Sequence, residues 1–376
     1  MRKAFKYRLY LNRPQEQALD AMLDTHRRLY NLALRDRRGV YEAEERAVSY
    51  GEQSARFKET RKVLPSFAAL NFSSAQATLR RLDKAFKAFF RRVKSGDTPG
   101  YPCFKPGGRF STVEFPSYGD GCRLKDNGRL YLQKVGHIKV KLHRTVEGRI
   151  KTVSLKRSCG KWYVIFSCDL GDAPEATGDG VAVGIDLGLG SFLVTSDGAS
   201  VEPPRYYRKA HKKLRRAQRG LSRKKKGSTR RGKARYRVAK VHEKVANQRR
   251  DFHHKEARKL VERYGLIAVE ALNVKGIART RLAKSTHDAG WAQFVNILIQ
   301  KAEEAAVRVI AVDPRNTTQA CSSCGAMPEV KKTLSDRMHS CSCGYVADRD
   351  VNAARNILRL GRSLQARTHR DADYVA

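Results

Sequence analysis

The chain has 376 residues and carries 77 Lys and Arg against 37 Asp and Glu, a formal net charge of +40. A chain of this length is expected to form two or three domains with sizeable cores. A field of this sign attracts polyanions, and Lys and Arg contacts to phosphates dominate nucleic-acid affinity. No apolar run approaches the ~20 residues that a membrane span needs, and the basic N-terminus lacks the apolar segment of a signal peptide. We therefore expect a cytoplasmic protein with a nucleic-acid partner and no membrane partner.

The N-terminal half is predicted to be an antiparallel β-barrel with a helical insertion. Residues 2–11 alternate between polar and apolar side chains, and short strands broken by Gly and Asn follow between residues 101 and 169. This pattern is typical of a small barrel. We assign residues 1–12 and 98–170 to the barrel.

Two helices are predicted for the insertion, residues 13–97. One is opened by Pro14, and the other covers about 66–95, with apolar residues at steps of three and four on one face. The opposite face of the second helix is basic, which makes it a candidate for contacts to nucleic acid. Its cations include Arg80, Lys84 and Lys87.

From residue 181 the pattern changes to apolar strands separated by helices, which indicates an α/β domain. A polar linker at 171–180 precedes it. The α/β domain is assigned to 181–315 and 344–365, interrupted by a cysteine-rich insertion at 316–343 and followed by a flexible tail at 366–376.

One segment of this domain, residues 204–242, contains eighteen Lys or Arg residues and no acid. Like charges at this density repel one another unless a polyanion is bound. We interpret the segment as two helical arms with a mobile tip that contact nucleic acid. The candidate contacts are Arg215, Arg216, Arg223, Lys224, Lys225 and Lys226.

Four cysteines near the C-terminus have the spacing of a metal site. Cys321 and Cys324 are followed after 16 residues by Cys341 and Cys343. Two close thiolate pairs across a loop predict one structural Zn²⁺. The second pair is one residue shorter than the common spacing, and the nearby His339 is an alternative ligand.

Three carboxylates stand at the ends of predicted elements. Asp186 and Glu270 end apolar strands, and Asp350 starts the last helix. Acids gathered in this way repel one another unless a divalent cation neutralises them, and hard oxygen ligands suit Mg²⁺ or Mn²⁺. Two such ions promote phosphodiester hydrolysis. The alternatives are a helix N-cap for Asp350 and an isolated strand-end acid for Glu270.

Several motifs in combination resemble the TnpB proteins, which are encoded by insertion sequences and related to the smallest type V CRISPR nucleases. The resemblance covers about residues 1–360. It is carried by Ile185-Asp186-Leu-Gly188, Glu270 with Leu272-Asn273, the Trp291 segment, Thr317-Thr-Gln-Ala-Cys321-Ser-Ser-Cys324-Gly325, Asp348-Arg-Asp350-Val-Asn352-Ala-Ala-Arg-Asn356 and Gly100-Tyr101-Pro102 with Phe104-Lys105.

This resemblance implies an RNA-guided DNA endonuclease. It implies a wedge-like barrel with a helical recognition insertion, then a RuvC-like, RNase H-fold nuclease domain with an inserted zinc finger. Asp186, Glu270 and Asp350 would be the nuclease triad with two Mg²⁺ or Mn²⁺ ions, and the four cysteines would bind zinc. The implied partners are a guide RNA from the transposon end and a double-stranded DNA target, cut next to a short transposon-associated motif.

Three residues of the helical insertion are candidates for reading that motif: Tyr50, Asn71 and Gln76. Amide side chains suit adenine edges in the major groove, although ordinary helix-surface positions explain these residues equally well. Competing functions are a guided DNA-binding protein without cleavage and a protein that serves transposition itself. The first would lack triad acids, and all three are present. The sequence gives neither the guide nor the oligomeric state.

Overall fold

The computed structural model describes residues 1–176, 180–333 and 335–373, with backbone only for 367–373. The chain forms two compact units, Met1–Gly171 and Asp172–Ala376. The boundary between them falls in the polar segment predicted as a linker, of which residues 177–179 lie outside the described part. The finer division into wedge, insertion, nuclease and finger stays a prediction.

The N-terminal unit contains a seven-stranded antiparallel sheet, curled into a half-barrel, in the order β2-β6-β7-β1-β5-β4-β3. Its strands are β1 (Arg2–Tyr10), β2 (Thr112–Phe115), β3 (Cys122–Leu124), β4 (Arg129–Leu132), β5 (Gly136–Lys141), β6 (Arg149–Ser158) and β7 (Lys161–Asp169). A bulge between Ile150 and Thr152 shifts the register of β6 against β7 and increases the local twist. Among the described residues the edge strands β2 and β3 do not pair with one another, so the predicted antiparallel barrel is a half-barrel, an open and curled sheet.

Four helices join β1 to β2. They are α1 (Arg13–Glu44), α2 (Tyr50–Val63), α3 (Pro65–Ala68) and α4 (Phe72–Lys94). The sequence-based interpretation predicts α1 and α4 and misses α2, which buries only Gln53 and Phe57 and therefore has no apolar stripe. A capping box between Ser49 and Glu52 lies at the start of α2, and this sequence pattern could have indicated the helix.

The C-terminal unit is built on a five-stranded sheet in the order β10-β9-β8-β11-β12. Strands β8, β11 and β12 are parallel, and β9 and β10 form antiparallel additions. The strands are β8 (Ala182–Asp186), β9 (Leu193–Thr195), β10 (Ser200–Val201), β11 (Leu266–Glu270) and β12 (Arg308–Val312), with β13 (Met338–Ser340) and β14 (Val346–Asp348) as a separate hairpin. The helices are α5 (Tyr206–Ser222), α6 (Thr229–Arg263), α7 (Val274–Ile277), α8 (Ala283–Ala289), α9 (Trp291–Glu304) and α10 (Arg349–Asp373).

Helix α10 lies close against the two central strands of this sheet. A Cβ atom at Gly184 of β8 would stand 2.0 Å from the carbonyl oxygen of Ala354, and one at Gly361 would stand 2.5 Å from Cβ of Ala268 in β11. Both positions therefore require glycine for the helix to approach this closely. The contact brings the start of α10 to the strands that carry Asp186 and Glu270.

The C-terminal end differs from the sequence-based expectation. Helix α10 continues to Asp373, so residues 366–373, predicted as a flexible tail, are helical. The stretch after Gly361 holds no proline or further glycine to stop the helix. Residues 374–376 lie outside the described part. Within the described residues, no helix is both long and apolar enough to cross a membrane.

Candidate active site and metal centre

Asp186 and Glu270 lie side by side at the ends of neighbouring parallel strands. The ladder pairs Val269 with Ile185, and each acid is the next residue along its strand. Parallel strands run in the same direction, so their carboxyl ends meet at one edge of the sheet. Both residues are only 8% exposed. The structure therefore brings these two predicted site residues together.

Asp350 approaches the same edge from helix α10, whose first residue is Arg349. The carboxylate that caps this helix belongs to Asp348: its Oδ1 accepts hydrogen bonds from the backbone N–H groups of Asp350 at 2.8 Å and Val351 at 3.2 Å. The N-cap alternative for Asp350 is therefore wrong, because Asp348 performs that role. The carboxyl group of Asp350 is left free to face the strand ends.

The electrostatics of the three acids show their mutual proximity. Burial raises the pKa of Asp186 to about 8, the negative charges of Glu270 and Asp350 add to the increase, and Arg349 opposes it. Burial also raises the pKa of Glu270 and that of Asp350, with the charge of Asp348 adding to the latter. Three neighbouring acids with raised pKa values in a low-dielectric site favour a bound cation.

The surroundings of the acids include a hydroxyl and a guanidinium group. Thr317 Oγ1 donates to Glu270 Oε1 at 2.5 Å, and the threonine is buried. Arg349 is buried as well and donates from Nη1 to the carbonyl oxygen of Thr333 at 2.6 Å. The hydroxyl favours the ionised form of Glu270, and the guanidinium favours the ionised forms of Asp186 and Asp350.

The four predicted cysteines form a second, tighter cluster. The Sγ atoms of Cys321 and Cys343 are 3.9 Å apart, and those of Cys324 and Cys341 are 3.6 Å apart. A tetrahedral Zn²⁺ with bonds of about 2.3 Å requires sulfur atoms about 3.8 Å apart, so these positions fit the ion. Within the described chain, this is the one group of three or more potential ligands whose atoms all lie within 4.8 Å of one another. The three carboxylates form a wider group.

Each cysteine pair sits on a turn closed by backbone hydrogen bonds. Gly325 N donates to the carbonyl oxygen of Cys321, and Gly344 N donates to that of Cys341, at 2.9 and 3.0 Å. Both glycines have positive φ, 81° and 84°, which is the conformation that favours glycine. The short second pair therefore still forms a complete turn. The alternative ligand His339 is outside the cluster, with Nδ1 hydrogen-bonded to Lys332 Nζ.

The predicted basic segment forms a helical hairpin of α5 and α6, joined by residues 223–228. Among its side chains Leu214 and Ala234 are buried, and α5 carries its cations on exposed positions. All six candidate contacts are exposed: Arg215, Arg216, Arg223, Lys224, Lys225 and Lys226. Their role in nucleic-acid binding stays a prediction.

Two of the three candidate duplex-reading residues of the N-terminal unit, Tyr50 and Gln76, are hydrogen-bonded to each other. Tyr50 Oη donates to Gln76 Oε1 at 2.7 Å and accepts from Arg80 Nε at 3.1 Å. Gln76 is 4% exposed, so it is not the surface position that the alternative assumed. Asn71 caps α4 through Ser74 N.

The other candidates of this unit remain on the surface of α4. Lys84 and Lys87 are exposed, and Lys87 forms an ion pair with Asp83 at 3.0 Å. Base or phosphate contacts by any of these residues remain a prediction.

Four residues near the acids were not assigned a role from the sequence: Thr317, Arg349, Asn352 and Asn356. The last two are separated by four positions, which places them on one face of a helix. That spacing was the available signal. Both are fully or almost fully buried and donate to backbone carbonyls of residues 317–320.

Comparisons with known proteins agree with this arrangement. Family models match residues 165–281 (IS605 OrfB, "Probable transposase"), 291–357 ("Cas12f1-like, TNB domain") and 1–46 (IS605 OrfB, "Helix-turn-helix domain"). The second match contains all four cysteines, Thr317 and Asp350, and the first contains Asp186 and Glu270.

Two curated relatives match over almost their full length. "Putative RNA-guided DNA endonuclease InsQ" of Escherichia coli (strain K12) is 30% identical, over 97% of this chain and 93% of the relative. "Putative RNA-guided DNA endonuclease" of Streptomyces pristinaespiralis is 33% identical, over 97% of this chain and 91% of the relative. Among solved structures, the mini-RNA-guided endonuclease CRISPR-Cas_phi3 superposes with a TM-score of 0.50 at 9% identity, over 96% of this chain and 92% of that chain, a likeness of fold alone.

Proposed function

Because this chain belongs to the TnpB family of IS605 OrfB proteins, we propose that it is an RNA-guided DNA endonuclease of an insertion sequence. The observation that carries the proposal is the meeting of Asp186, Glu270 and Asp350 at one edge of the C-terminal sheet. Acids from three distant segments that are partly or fully buried and have raised pKa values favour a bound cation. A guided DNA-binding protein without cleavage would not need them.

The three carboxylates supply the hard oxygen ligands that Mg²⁺ or Mn²⁺ prefers. Two such ions, when bound, would activate a water molecule and stabilise the leaving oxygen in phosphodiester hydrolysis. A mixed five-stranded sheet with acids at the ends of its central strands supports a RuvC-like, RNase H-fold nuclease domain.

The protein's own residues prepare this site in three ways. Asp186 and Glu270 are fixed by the parallel strand register, and Asp348 directs the first turn of α10, on which Asp350 lies. Arg349 offsets part of the negative charge before the site is filled. The Cys321, Cys324, Cys341 and Cys343 group would hold one structural Zn²⁺ with no open position for water.

The remaining surfaces suit a guide RNA and a DNA duplex. The hairpin of α5 and α6 offers a dense row of exposed cations for phosphates. In guided nucleases the pairing of guide and target selects the sequence, and the protein reads only a short duplex element. The curled N-terminal sheet with its helical insertion would serve as the wedge and recognition parts that read the transposon-associated motif. An enzyme that acts on cellular DNA in a bacterium works in the cytoplasm.

The test is purification of the chain from cells that carry its insertion sequence, followed by sequencing of the bound RNA. We expect one defined RNA derived from the transposon end, and Mg²⁺-dependent cutting of a duplex that matches its guide sequence. Replacing Lys224, Lys225 and Lys226 with Gln should weaken binding of this RNA and reduce the slope of log K against log salt by about 2, as expected for about three lost phosphate contacts. Purified protein that carries no defined RNA and cuts without one would contradict the proposal.

A further inference from the structure

The two metal-ligand groups of the C-terminal unit are connected by one buried set of hydrogen bonds. Its centre is the segment 317–322, which lies between β12 and the first cysteine turn. One end of this segment carries Thr317, which contacts Glu270, and the other carries Cys321, a thiolate of the zinc group.

Thr317 fixes the side chain of Glu270 through its hydroxyl group. Its hydroxyl lies 2.5 Å from Glu270 Oε1 and 3.0 Å from the carbonyl oxygen of Pro314. A hydroxyl has a single proton to donate, and the carboxylate is both the nearer and the charged acceptor. A hydrogen bond to a charged acceptor is the stronger kind. Thr317 therefore fixes one oxygen of Glu270 and leaves the other free.

Helix α10 is hydrogen-bonded to the segment 317–322 through two asparagines. Asn356 Nδ2 donates to the carbonyl oxygens of Thr317 at 3.0 Å and Ala320 at 2.8 Å. Asn352 Nδ2 donates to Ala320 at 2.8 Å, and its Oδ1 accepts from Ser322 N at 2.8 Å. Both amides are almost fully buried, so water cannot replace them as partners. The helix that begins with Asp350 thus also fixes the position of Thr317.

We propose that Thr317 is a positioning residue for Glu270, and that Asn352 and Asn356 fix Thr317 so that Glu270 and Asp350 are held as one unit against Asp186. The inference rests on the proposed function, since it assigns these three acids as ligands of a divalent cation. It predicts that cation affinity depends on a hydroxyl that is not itself a ligand.

The test compares Thr317→Ala with Thr317→Ser in the full chain, with its zinc retained. Both variants lose the methyl group, and only the serine keeps the hydroxyl, so the pair isolates the hydrogen bond. Mn²⁺ alone is the probe, and the free ion is measured by electron paramagnetic resonance. We expect Thr317→Ser to bind Mn²⁺ within about twofold of the unmodified chain and Thr317→Ala to bind it about tenfold more weakly, the size of one hydrogen bond to a charged group.

Thr318→Ala is the matched control. The neighbouring threonine is half-buried and, among the described residues, forms no hydrogen bond with Glu270, so this variant should bind Mn²⁺ normally. Equal Mn²⁺ affinity of Thr317→Ala and Thr317→Ser would overturn the positioning role.

Asp186→Asn separates this outcome from failure of the proposed function. Loss of Mn²⁺ binding in Asp186→Asn would support the carboxylate site regardless of the result for the Thr317 variants. Unchanged Mn²⁺ binding would show that these carboxylates do not form the cation site. The asparagines are tested by a double-mutant cycle: Asn356→Ala should weaken Mn²⁺ binding in the unmodified chain and have little further effect on Thr317→Ala, because both act through one contact. Additive effects would overturn the part assigned to Asn356.

Discussion

The cysteine group and the carboxylate group are connected by the short segment 317–322, yet they are built on different kinds of secondary structure. The cysteines sit on glycine turns and a small hairpin, and two of them are exposed. The carboxylates sit on central strands and a long helix, and two of them are 8% exposed. The short turns carry the compact ligand set, and the long strands and helix carry the wide one.

This difference shows what each site requires of the fold. Four soft thiolates complete the coordination of Zn²⁺, so the ion itself can organise the turns that carry them. Carboxylates that leave positions open for water and substrate cannot rely on the ion to arrange them. They have to be fixed by the strand register, the cap of α10 and the contact of Thr317.

The largest expected effect comes from removing one carboxylate ligand. Asp350→Ala should lower the cleavage rate by at least ~10³-fold, because charge stabilisation by a bound metal amounts to several kcal/mol. Binding of guided DNA should survive, since the acid does not contact the duplex. The measurements are single-turnover cleavage in Mg²⁺ and a filter-binding assay.

Asp348 provides the matched control, two positions away. Asp348→Asn keeps a side chain that caps helices well and should cleave normally, whereas Asp348→Ala should lose about 1 kcal/mol of stability and retain measurable cleavage. If Asp350→Ala cuts at a near-normal rate while Asp348→Asn does not, the two acids have been assigned in the wrong order.

The next effect concerns folding. Cys324→Ser leaves three thiolates and should abolish stoichiometric zinc, with the C-terminal unit becoming protease-sensitive, because binding of structural zinc contributes directly to folding stability. Zinc content by mass spectrometry and limited proteolysis are the measurements. Cys103→Ser, an exposed thiol of the other unit, should change neither. Full zinc occupancy in Cys324→Ser would show that the cluster is not a closed four-thiolate site.

The smallest expected effect is a change of stability with pH that arises from Asp186 of the carboxylate group. The pKa of Asp186 is raised to about 8 in the folded chain without bound divalent cation, so the folded state holds this proton more tightly than the unfolded state. The resulting stability is full below about pH 4 and is lost as the pH rises through about 8. Asp186→Asn mimics the protonated acid, so between pH 6 and 9 its melting temperature should fall less than that of the unmodified chain, by about 2–4 °C for ~1 kcal/mol.

Asp197 offers the opposite case in the same unit. Its pKa is lowered, with hydrogen bonds from Thr195 and Tyr264 and an ion pair with Arg263 at 2.9 Å outweighing its burial. Asp197→Asn should therefore destabilise the chain at neutral pH. Calorimetry in buffers that contain zinc and no other divalent cation tests both variants. If the melting temperatures of Asp186→Asn and the unmodified chain changed in parallel with pH, a raised pKa of Asp186 would be contradicted.

The strands of the C-terminal sheet and the four-thiolate group could be predicted from the sequence because their signals are local. Apolar runs marked β8, β11 and β12, and cysteine spacing marked the four-thiolate group. The cap of α10 was predicted less well, since Asp348 and Asp350 are both good capping residues and only the helix boundary distinguishes them. Thr317 could not be assigned, because its partner is a distant side chain. The spacing of Asn352 and Asn356 predicts a shared helix face but not the backbone carbonyls to which they donate.

The order of the elements along the chain determines when, during synthesis and folding, the three acids can come together. Asp186 and Glu270 lie on strands that precede the cysteine insertion, whereas Asp350 follows it. The site is therefore a contact of very long sequence separation, which forms late in folding. A chain whose synthesis has not yet reached residue 350 holds two of the three acids at most. The proposed cutting activity would thus arise only after helix α10 has been made and has packed against the sheet.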